Sequence, residues 1–426
     1  MEEATPVALA LGGMAALAAA LGVGRFVYTP ILPAMAETLG LTQGEAGLIA
    51  SANFVGYLAG ALLAAMPRLP GPRRAWLLGA LAVSAATTGA MGLASSMPTF
   101  LALRGIGGAA SAFVLVFASA LVLDRLAHAG RSGLSALHFA GVGVGIALSA
   151  TLVSALLATG CGWRVLWLAS GAVSLATLAV VALLVPGGKP LRVATAPPSG
   201  AAGGAPGHGL AALACAYGLF GFGYVVTATF LVAIVRASPE VRPVEPLVWI
   251  VVGAAAAPSV ALWTRLGTRL GVSRAFAAAC LVEAAGVAAS VLWPTAAGAL
   301  LAAALLGGTF VGITALGLAG ARRLAAGGDP RRALGLLTAA FGAGQIVGPA
   351  LAGILHDRAG GFVLPSLLAA GALVAAALTA ARVRCPATDD DVRASSREGD
   401  GGTAGGLKPA GRSRLRAQPR PPWRLG

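Results

Sequence analysis

The sequence predicts an all-α membrane protein with twelve transmembrane helices in two halves of six, and three observations lead to this fold class. Of the 426 residues, 57% are hydrophobic and only 11% are charged, whereas soluble domains contain about 45–50% and about 25%, respectively. The charged residues form short clusters between apolar runs of about 20 residues, the length that crosses a bilayer as a helix. A Gly-, Pro- and Ala-rich segment at 187–209 divides these runs evenly.

The apolar runs are continuous rather than alternating, so helices, and not the strands of a barrel, are predicted to satisfy the backbone groups in lipid. Charge clusters and Pro or Gly breaks separate twelve spans. In chain order the spans are 6–37, 44–66, 74–97, 99–124, 132–159, 163–186, 210–235, 246–264, 274–293, 295–321, 333–356 and 361–381.

The distribution of basic residues predicts the orientation in the membrane. If the N-terminus is cytoplasmic, the inward loops carry fifteen basic residues and the outward loops carry four, which is a strong positive-inside bias. The sequence therefore predicts a multi-pass protein of the bacterial inner membrane with both termini in the cytoplasm. The same bias explains most of the net charge of +15 without a nucleic-acid partner.

Four segments are predicted from the spans and the composition. Residues 1–186 form a first six-helix bundle, 187–209 a cytoplasmic linker, 210–382 a second six-helix bundle, and 383–426 a disordered basic cytoplasmic tail. The linker contains too little large apolar surface to fold. The tail is expected to be passive, with a weak contact to anionic lipid as the alternative.

No motif in the sequence predicts an enzyme. HExxH, GxSxG and P-loop motifs are absent, and the one dinucleotide-like string, GIGGAA at 105–110, lies inside a span. There its small residues predict helix packing instead of cofactor binding. The four cysteines have neither the spacing of a metal site nor that of a disulfide framework. No cofactor and no metal are therefore expected.

Ionisable residues deep in a membrane helix are commonly functional, because a charge at the helix centre costs roughly 2.5–3.5 kcal/mol. Arg25 is predicted to face a cavity together with Tyr28, and bonding to neighbouring carbonyls is the alternative. For Arg104 and His138, a role in coupling and a structural role both stay open. Glu283 is expected to be a neutral, protonated residue of a peripheral helix.

Uncharged polar residues at helical spacing form a second set of candidates for a cavity lining, with hydrogen bonds between helices as the alternative. They are Asn53 and Tyr57 in the second span, Tyr217, Tyr224 and Thr227 in the seventh, Trp249 in the eighth and Gln345 in the eleventh. The helices expected at the centre hold arginine and histidine but no carboxylate. An anionic or amphipathic substrate is therefore favoured over a cation.

Several strings resemble one branch of a known transporter superfamily: LGVGRFVYTPILPAM at 21–35, the segment 41–64, HFAGVGVGIALS at 138–149, 216–231 and FGAGQIVGPALAG at 341–353. With these, the sequence resembles the uncharacterised YbfB/YjiJ-type branch of the major facilitator superfamily (MFS). The resemblance implies two pseudosymmetric six-helix bundles around a central cavity, and alternating access driven by protons or by the substrate gradient. It also implies that Arg104 with Gly108 forms the arginine motif associated with proton coupling in antiporters.

The sequence departs from the superfamily in the loop after the second helix, where MPRLPGPRR at 66–74 keeps the arginines but lacks the usual aspartate. The loop at 264–274 lacks an acidic residue as well. A salt-bridge gate of the usual kind is therefore not expected. Asp124 and Arg125, at the inner end of the fourth helix, are the alternative gating residues.

The resulting prediction is a secondary active transporter, not an enzyme, that moves a small organic anion or an amphipathic metabolite by alternating access. Proton-coupled drug efflux is one alternative function. A membrane receptor or scaffold that does not transport is the other. The protein is expected to be a monomer in the lipid bilayer that binds a small-molecule substrate, with protons as a candidate coupling ion.

Overall fold

The computed structural model describes residues 5–66, 69–187, 207–325 and 329–385. Over these residues it contains twelve helices that are long and apolar enough to span a membrane, so the predicted fold class is confirmed. We number them α1 to α12. They are Pro6–Leu39, Gln43–Ala64, Arg73–Leu93, Met97–His128, Ser132–Ala158, Trp163–Leu184, His208–Ala237, Arg242–Leu270, Val272–Leu292, Ala296–Leu324, Pro330–Ala359 and Val363–Ala381.

Helices α1–α6, the first half, and α7–α12, the second half, repeat one pattern of packing. In the first half α1 packs on α5, α2 packs on α4, and α3 packs on both α4 and α6. In the second half α7 packs on α11, α8 packs on α10, and α9 packs on both α10 and α12. Each pair corresponds to the pair six helices earlier in the chain. Most of the predicted linker (187–209) and tail (383–426) lies outside the described residues.

The two halves meet through two equivalent helix pairs, α2 with α11 and α5 with α8, and the end of α1 also contacts α7. Glycines allow the close approach. A Cβ atom at Gly47 would overlap the backbone at Pro349, and one at Gly143 would overlap the backbone at Gly253. Such small-residue contacts let helix backbones pack tightly in lipid.

The membrane face at which α1 begins carries most of the loop arginines, and we call it the arginine-rich face. The opposite face is the arginine-poor face. Hydrogen bonds between the halves lie toward the arginine-poor face. Ser51 Oγ donates to the Ile346 carbonyl at 2.7 Å, and Thr29 Oγ1 donates to the Ala228 carbonyl at 2.6 Å.

Helix α1 is interrupted at its centre. It is α-helical over Pro6–Leu17, forms a wide π turn over Ala18–Val23, and is α-helical again from Tyr28. The amide of Phe26 donates to the Leu21 carbonyl at 3.2 Å, five residues earlier. Pro30 has no amide hydrogen to continue the ladder. The interruption leaves backbone carbonyls near Arg25 available to other helices.

Of the helices that continue further at the arginine-rich face than the sequence predicts, α8 and α4 extend the most. Helix α8 ends at Leu270 instead of 264, and α4 ends at His128 instead of 124. The predicted ends were placed at the first arginines. These long side chains can extend toward the headgroups while the backbone stays helical.

Candidate functional site

Arg25 lies beside the contact between the two halves, at the interruption of α1. Its side chain is only 6% exposed. Its guanidinium carbon is 4.4 Å from the ring centre of Tyr57, 4.5 Å from that of Phe54 and 5.3 Å from that of Phe26. The Nε and Nη2 atoms are buried without a hydrogen-bond partner among the described residues. The guanidinium is therefore surrounded by aromatic rings and keeps donors available.

Arg104 on α4 is engaged with the interrupted backbone of α1. Its Nη1 donates to the Gly24 carbonyl and its Nη2 donates to the Arg25 carbonyl, both at 3.1 Å. Asn53 on α2 in turn donates from Nδ2 to the carbonyl of Arg104 at 3.0 Å. Arg104 thus supplies the donors that the widened turn needs, and it fixes the backbone that carries Arg25.

Tyr28 follows Arg25 on α1 but takes part in a different set of contacts. Its hydroxyl donates to the Ala46 carbonyl on α2 at 2.8 Å. Its ring centre lies 6.3 Å from that of Trp167 and 5.0 Å from the guanidinium carbon of Arg104. The structure therefore places Tyr28 with Arg104, in the packing of the first half.

A continuous group of rings lies next to Arg25, formed by one ring of α1 and four rings of the second half. We call it the aromatic wall: Phe26, Phe310, Tyr224, Phe341 and Tyr217. Tyr224 is nearly parallel to Phe310 and to Phe341, with ring centres 5.7 Å and 5.8 Å apart. Tyr217 stacks on Phe341 at 4.8 Å, and Phe26 contacts Phe310 at 5.7 Å. The wall offers flat apolar surface next to the cation.

Several buried polar atoms of the residues predicted to line the cavity have no hydrogen-bond partner among the described residues. They are Asn53 Oδ1, Thr227 Oγ1, Trp249 Nε1 and Gln345 Oε1. Gln345 Nε2 donates to the Tyr224 hydroxyl, and the Trp249 ring contacts Phe26 at 6.5 Å. A buried polar atom without a partner costs roughly 1–3 kcal/mol, which bound water or a ligand can offset.

The three phenylalanines of the wall are candidate site residues that the sequence analysis did not name. Phe26 directly follows Arg25, so its position was the available signal. Phe310 and Phe341 lie on α10 and α11, and nothing in their local sequence sets them apart from core residues. Only the packing of four helices brings these rings together.

His138 does not join the group around Arg25. It is fully buried, and its Nε2 lies 3.2 Å from the Ser119 hydroxyl on α4. Its Nδ1 faces Gly13 on α1. The imidazole therefore lies between helices of the first half. Glu283 on α9 is also fully buried, within the second half.

Asp124 and Arg125 lie at the arginine-rich face. The Asp124 carboxylate is 3.5 Å from Nη1 of Arg73, the first residue of α3, in the segment 66–74 that carries no aspartate. Arg125 Nη1 donates to the Pro186 carbonyl at 2.8 Å. Both residues line a cavity that Arg331 of the second half also lines.

Charged contacts also join the halves at the arginine-poor face, and the sequence analysis did not identify them. The Asp357 carboxylate on α11 accepts hydrogen bonds from the amides of Gln43 at 3.1 Å and Gly44 at 2.7 Å, at the start of α2. Arg236 on α7 pairs with Glu245 at 2.6 Å and with Glu37 of α1 at 3.4 Å. The Asp357 contacts and the pair of Arg236 with Glu37 join the two halves at this face, whereas Glu245 lies on α8 and pairs with Arg236 within the second half.

Two comparisons of sequence place the chain among known proteins. It matches a family model described as "Uncharacterised MFS-type transporter YbfB" over residues 17–381. It is also 31% identical, over 193 residues, to a chloramphenicol resistance protein from Streptomyces lividans. That match covers 43% of this chain and 47% of the relative, so the aligned part spans about half the length of that protein.

Solved structures share the fold at low sequence identity. A mutant of the nucleoside transporter NupG superposes with a TM-score of 0.66 at 14% identity, covering 88% of this chain and 98% of that one. A bacterial homolog of the human lysosomal transporter Spinster, inward-facing and unoccupied, superposes with a TM-score of 0.59 at 17% identity, covering 88% and 93%.

Proposed function

We infer the function of this chain from its family: it belongs to the YbfB-type MFS transporters and is a multi-pass membrane transporter. We propose that its substrate is a small organic anion with an apolar part, moved by alternating access. The observation that carries this proposal is the buried guanidinium of Arg25, two of whose nitrogens have no hydrogen-bond partner in the part of the chain that the structure describes.

The charge of Arg25 favours an anionic group in the site. A guanidinium stays charged in proteins, and burying an unpaired ion costs several kcal/mol. The three surrounding rings each offset about 0.5–2 kcal/mol of this cost. A carboxylate that accepts hydrogen bonds from Nε and Nη2 would remove most of the remainder, because this pair forms charge-assisted bonds of matched geometry.

The aromatic wall supports an apolar, flat part of the substrate. A ring placed against Tyr224 and Phe310 would continue their stacked arrangement, at a gain of about 0.5–1.5 kcal/mol per ring pair. Trp249 Nε1 can donate a hydrogen bond to the substrate, and Gln345 Oε1 can accept one. Tyr217, Thr227 and the amide of Asn53 complete the proposed lining.

Alternating access would use the contacts at the two membrane faces in turn. The positive-inside rule supports a cytoplasmic arginine-rich face. The Asp357 contact with α2 would close the outer side, and Asp124 with Arg73 would contribute to gating at the inner side. We propose protons as the coupling ion, and the uptake experiment described below therefore includes an imposed pH gradient.

A second candidate function is efflux of hydrophobic drugs. The name of the Streptomyces lividans relative, a chloramphenicol resistance protein, favours it, and so does the extent of the aromatic wall. On this view the rings bind the drug and Arg25 holds no anion. Flux of a neutral aromatic compound would then be indifferent to the charge at position 25.

The experiment is uptake of labelled organic anions and neutral aromatic compounds into proteoliposomes, with and without an imposed pH gradient. We compare the wild type with Arg25→Gln and with Arg25→Lys, which keeps the charge. Loss of a charged partner costs about 2–5 kcal/mol, so Arg25→Gln should lower anion uptake at least about thirtyfold. Anion flux that is equal in the wild type and Arg25→Gln would contradict the proposal and favour drug efflux.

A further inference from the structure

Two cavities outside the central site adjoin each other at the arginine-rich face. The first, the basic pocket, has a volume of about 540 Å³ and is lined by Arg73, Arg74, Arg125 and Arg331, with Asp124 as the one acidic residue in its described lining. The second, the lateral groove, has a volume of about 600 Å³ and runs between α3 and α4. Gly71 and Trp76 line both cavities, so the two cavities adjoin each other at these residues.

The basic pocket keeps an excess of positive charge. The ion pair between Arg73 and Asp124 is partly exposed, with 47% and 35% of the side chains accessible, and such pairs contribute little. Arg74 donates to the carbonyls of Val185 and Ala182, which are neutral acceptors. Four arginines against one carboxylate leave three uncompensated positive charges in the lining.

The lateral groove is apolar and opens toward the lipid. Apart from Gly71 and Trp76 it is lined by Pro70, Ala75, Gly79, Ala80, Val83, Ile106, Ala109, Ala110 and Phe113. Val83 and Ile106 are 42% and 51% exposed, as expected of side chains that face acyl chains. A Cβ atom at Gly79 would meet nothing within 4 Å, so the groove has open space there.

Trp76 is held at the junction of the two cavities. Its Nε1 donates to the Pro70 carbonyl at 2.8 Å, and its ring packs on Phe113 at 5.5 Å and on Phe117 at 6.3 Å. Tryptophan prefers the boundary between headgroups and hydrocarbon. The indole therefore marks the depth at which a polar cavity gives way to an apolar one.

We propose that the basic pocket and the lateral groove together bind one anionic phospholipid. The phosphate diester occupies the basic pocket, where arginines supply charge-assisted hydrogen bonds, and one acyl chain occupies the lateral groove. Arg331 belongs to the second half, whereas the other lining arginines belong to the first. A headgroup in this pocket interacts with both halves, so its affinity depends on their separation at this face.

The test is lipid binding to the purified full-length protein in detergent, followed by native mass spectrometry. Phosphatidylglycerol is compared with phosphatidylcholine of identical chains. Because one arginine near a headgroup is worth about 1 kcal/mol, the double variant Arg73→Gln, Arg331→Gln should bind phosphatidylglycerol about thirtyfold more weakly. Its affinity for phosphatidylcholine should change little.

The groove is tested with a matched pair of glycine variants. Gly79→Leu places a side chain into the groove and displaces part of the acyl chain. The acyl chain then loses the contacts of about two methylene groups, which should weaken phosphatidylglycerol binding at least about tenfold. Gly371→Leu on α12 is the control, because a Cβ atom there also meets nothing within 4 Å but the position lies outside the groove.

Three results would overturn the proposal. The first is equal affinity of the wild type for the two lipids. The second is an equal loss in both glycine variants, which indicates lipid around the whole protein. The third is displacement of the lipid by inorganic phosphate together with an unchanged lipid affinity in Gly79→Leu. That combination would assign the pocket to a free anion. If Gly79→Leu does not fold, the double arginine variant decides alone. Both of its arginines are exposed, so their replacement should not disturb folding.

Discussion

The contact of Asp357 with α2 provides a direct prediction about how the outer side is held closed. The two carboxylate oxygens accept hydrogen bonds from the first two amides of α2, those of Gln43 and Gly44, at 3.1 Å and 2.7 Å. A carboxylate is stabilising at a helix N-terminus because the free amides and the helix dipole both favour negative charge there. Asp357→Asn removes the charge and one of the two acceptors with almost no change in shape.

The magnitude follows from these two bonds. A hydrogen bond to a charged group contributes about 1.5–3 kcal/mol when it is buried, and a neutral one about 0.5–1.5 kcal/mol. Because 34% of the Asp357 side chain is exposed, we take about 1 kcal/mol for each bond. Asparagine keeps one neutral bond, so the closed arrangement loses about 1–1.5 kcal/mol, which is roughly a five- to tenfold shift in the equilibrium.

The assay is pulsed electron-electron double resonance between spin labels at the arginine-poor face. The labels are attached through Thr38→Cys on α1 and Gly361→Cys after α11, in a chain whose four native cysteines are replaced. We expect the long-distance population to increase roughly five- to tenfold in Asp357→Asn. Glu240→Gln, which removes an exposed charge at the same face, should leave the distances unchanged. Identical distance distributions in the two variants would refute the reasoning.

Three further predictions concern the site and its support. Arg104→Gln removes two hydrogen bonds to α1, and the melting temperature in detergent should fall by about 5 °C; an unchanged melting temperature would contradict this. Gly108→Ala places a methyl group against the Asn53 carbonyl and should lower the yield of folded protein, whereas Gly89→Ala, where a Cβ atom would make only an ordinary contact of 3.8 Å with Gly171 Cα, should not. Trp249→Phe removes the indole N–H donor and part of the buried ring surface, so the apparent affinity for substrate should fall at least about tenfold at unchanged maximal flux, and an unchanged affinity would remove Trp249 from the site.

The fold was predictable because its signals are local and strong. Each span is a long, predominantly apolar run with at most a few ionisable residues inside it, and the arginine clusters mark most helix ends. The same clusters misplaced the end of α8, which continues to Leu270, because a long basic side chain can lie at the interface on a helix as well as on a loop. Pattern alone cannot distinguish these two positions.

The contacts of the candidate site were less predictable because they join residues far apart in the chain. Arg104 was identified as an unusual charge, but its hydrogen-bond acceptors are backbone carbonyls 79 and 80 residues earlier. No pattern of side chains in the sequence predicts which carbonyls these are. Asp357 bonds amides more than 300 residues away. Arg25 was identified from its depth, whereas the aromatic wall depends on how four helices pack.

The central claim is that Arg25 binds the anionic group of the substrate, and one measurement tests it most directly. In proteoliposomes we compare counterflow of an aromatic carboxylate with that of its carboxamide, which has the same shape but no charge. We expect the wild type to prefer the carboxylate at least about thirtyfold in apparent affinity, and Arg25→Gln to bind both equally. A carboxylate preference that survives in Arg25→Gln, or a wild type that prefers the carboxamide, would contradict the claim.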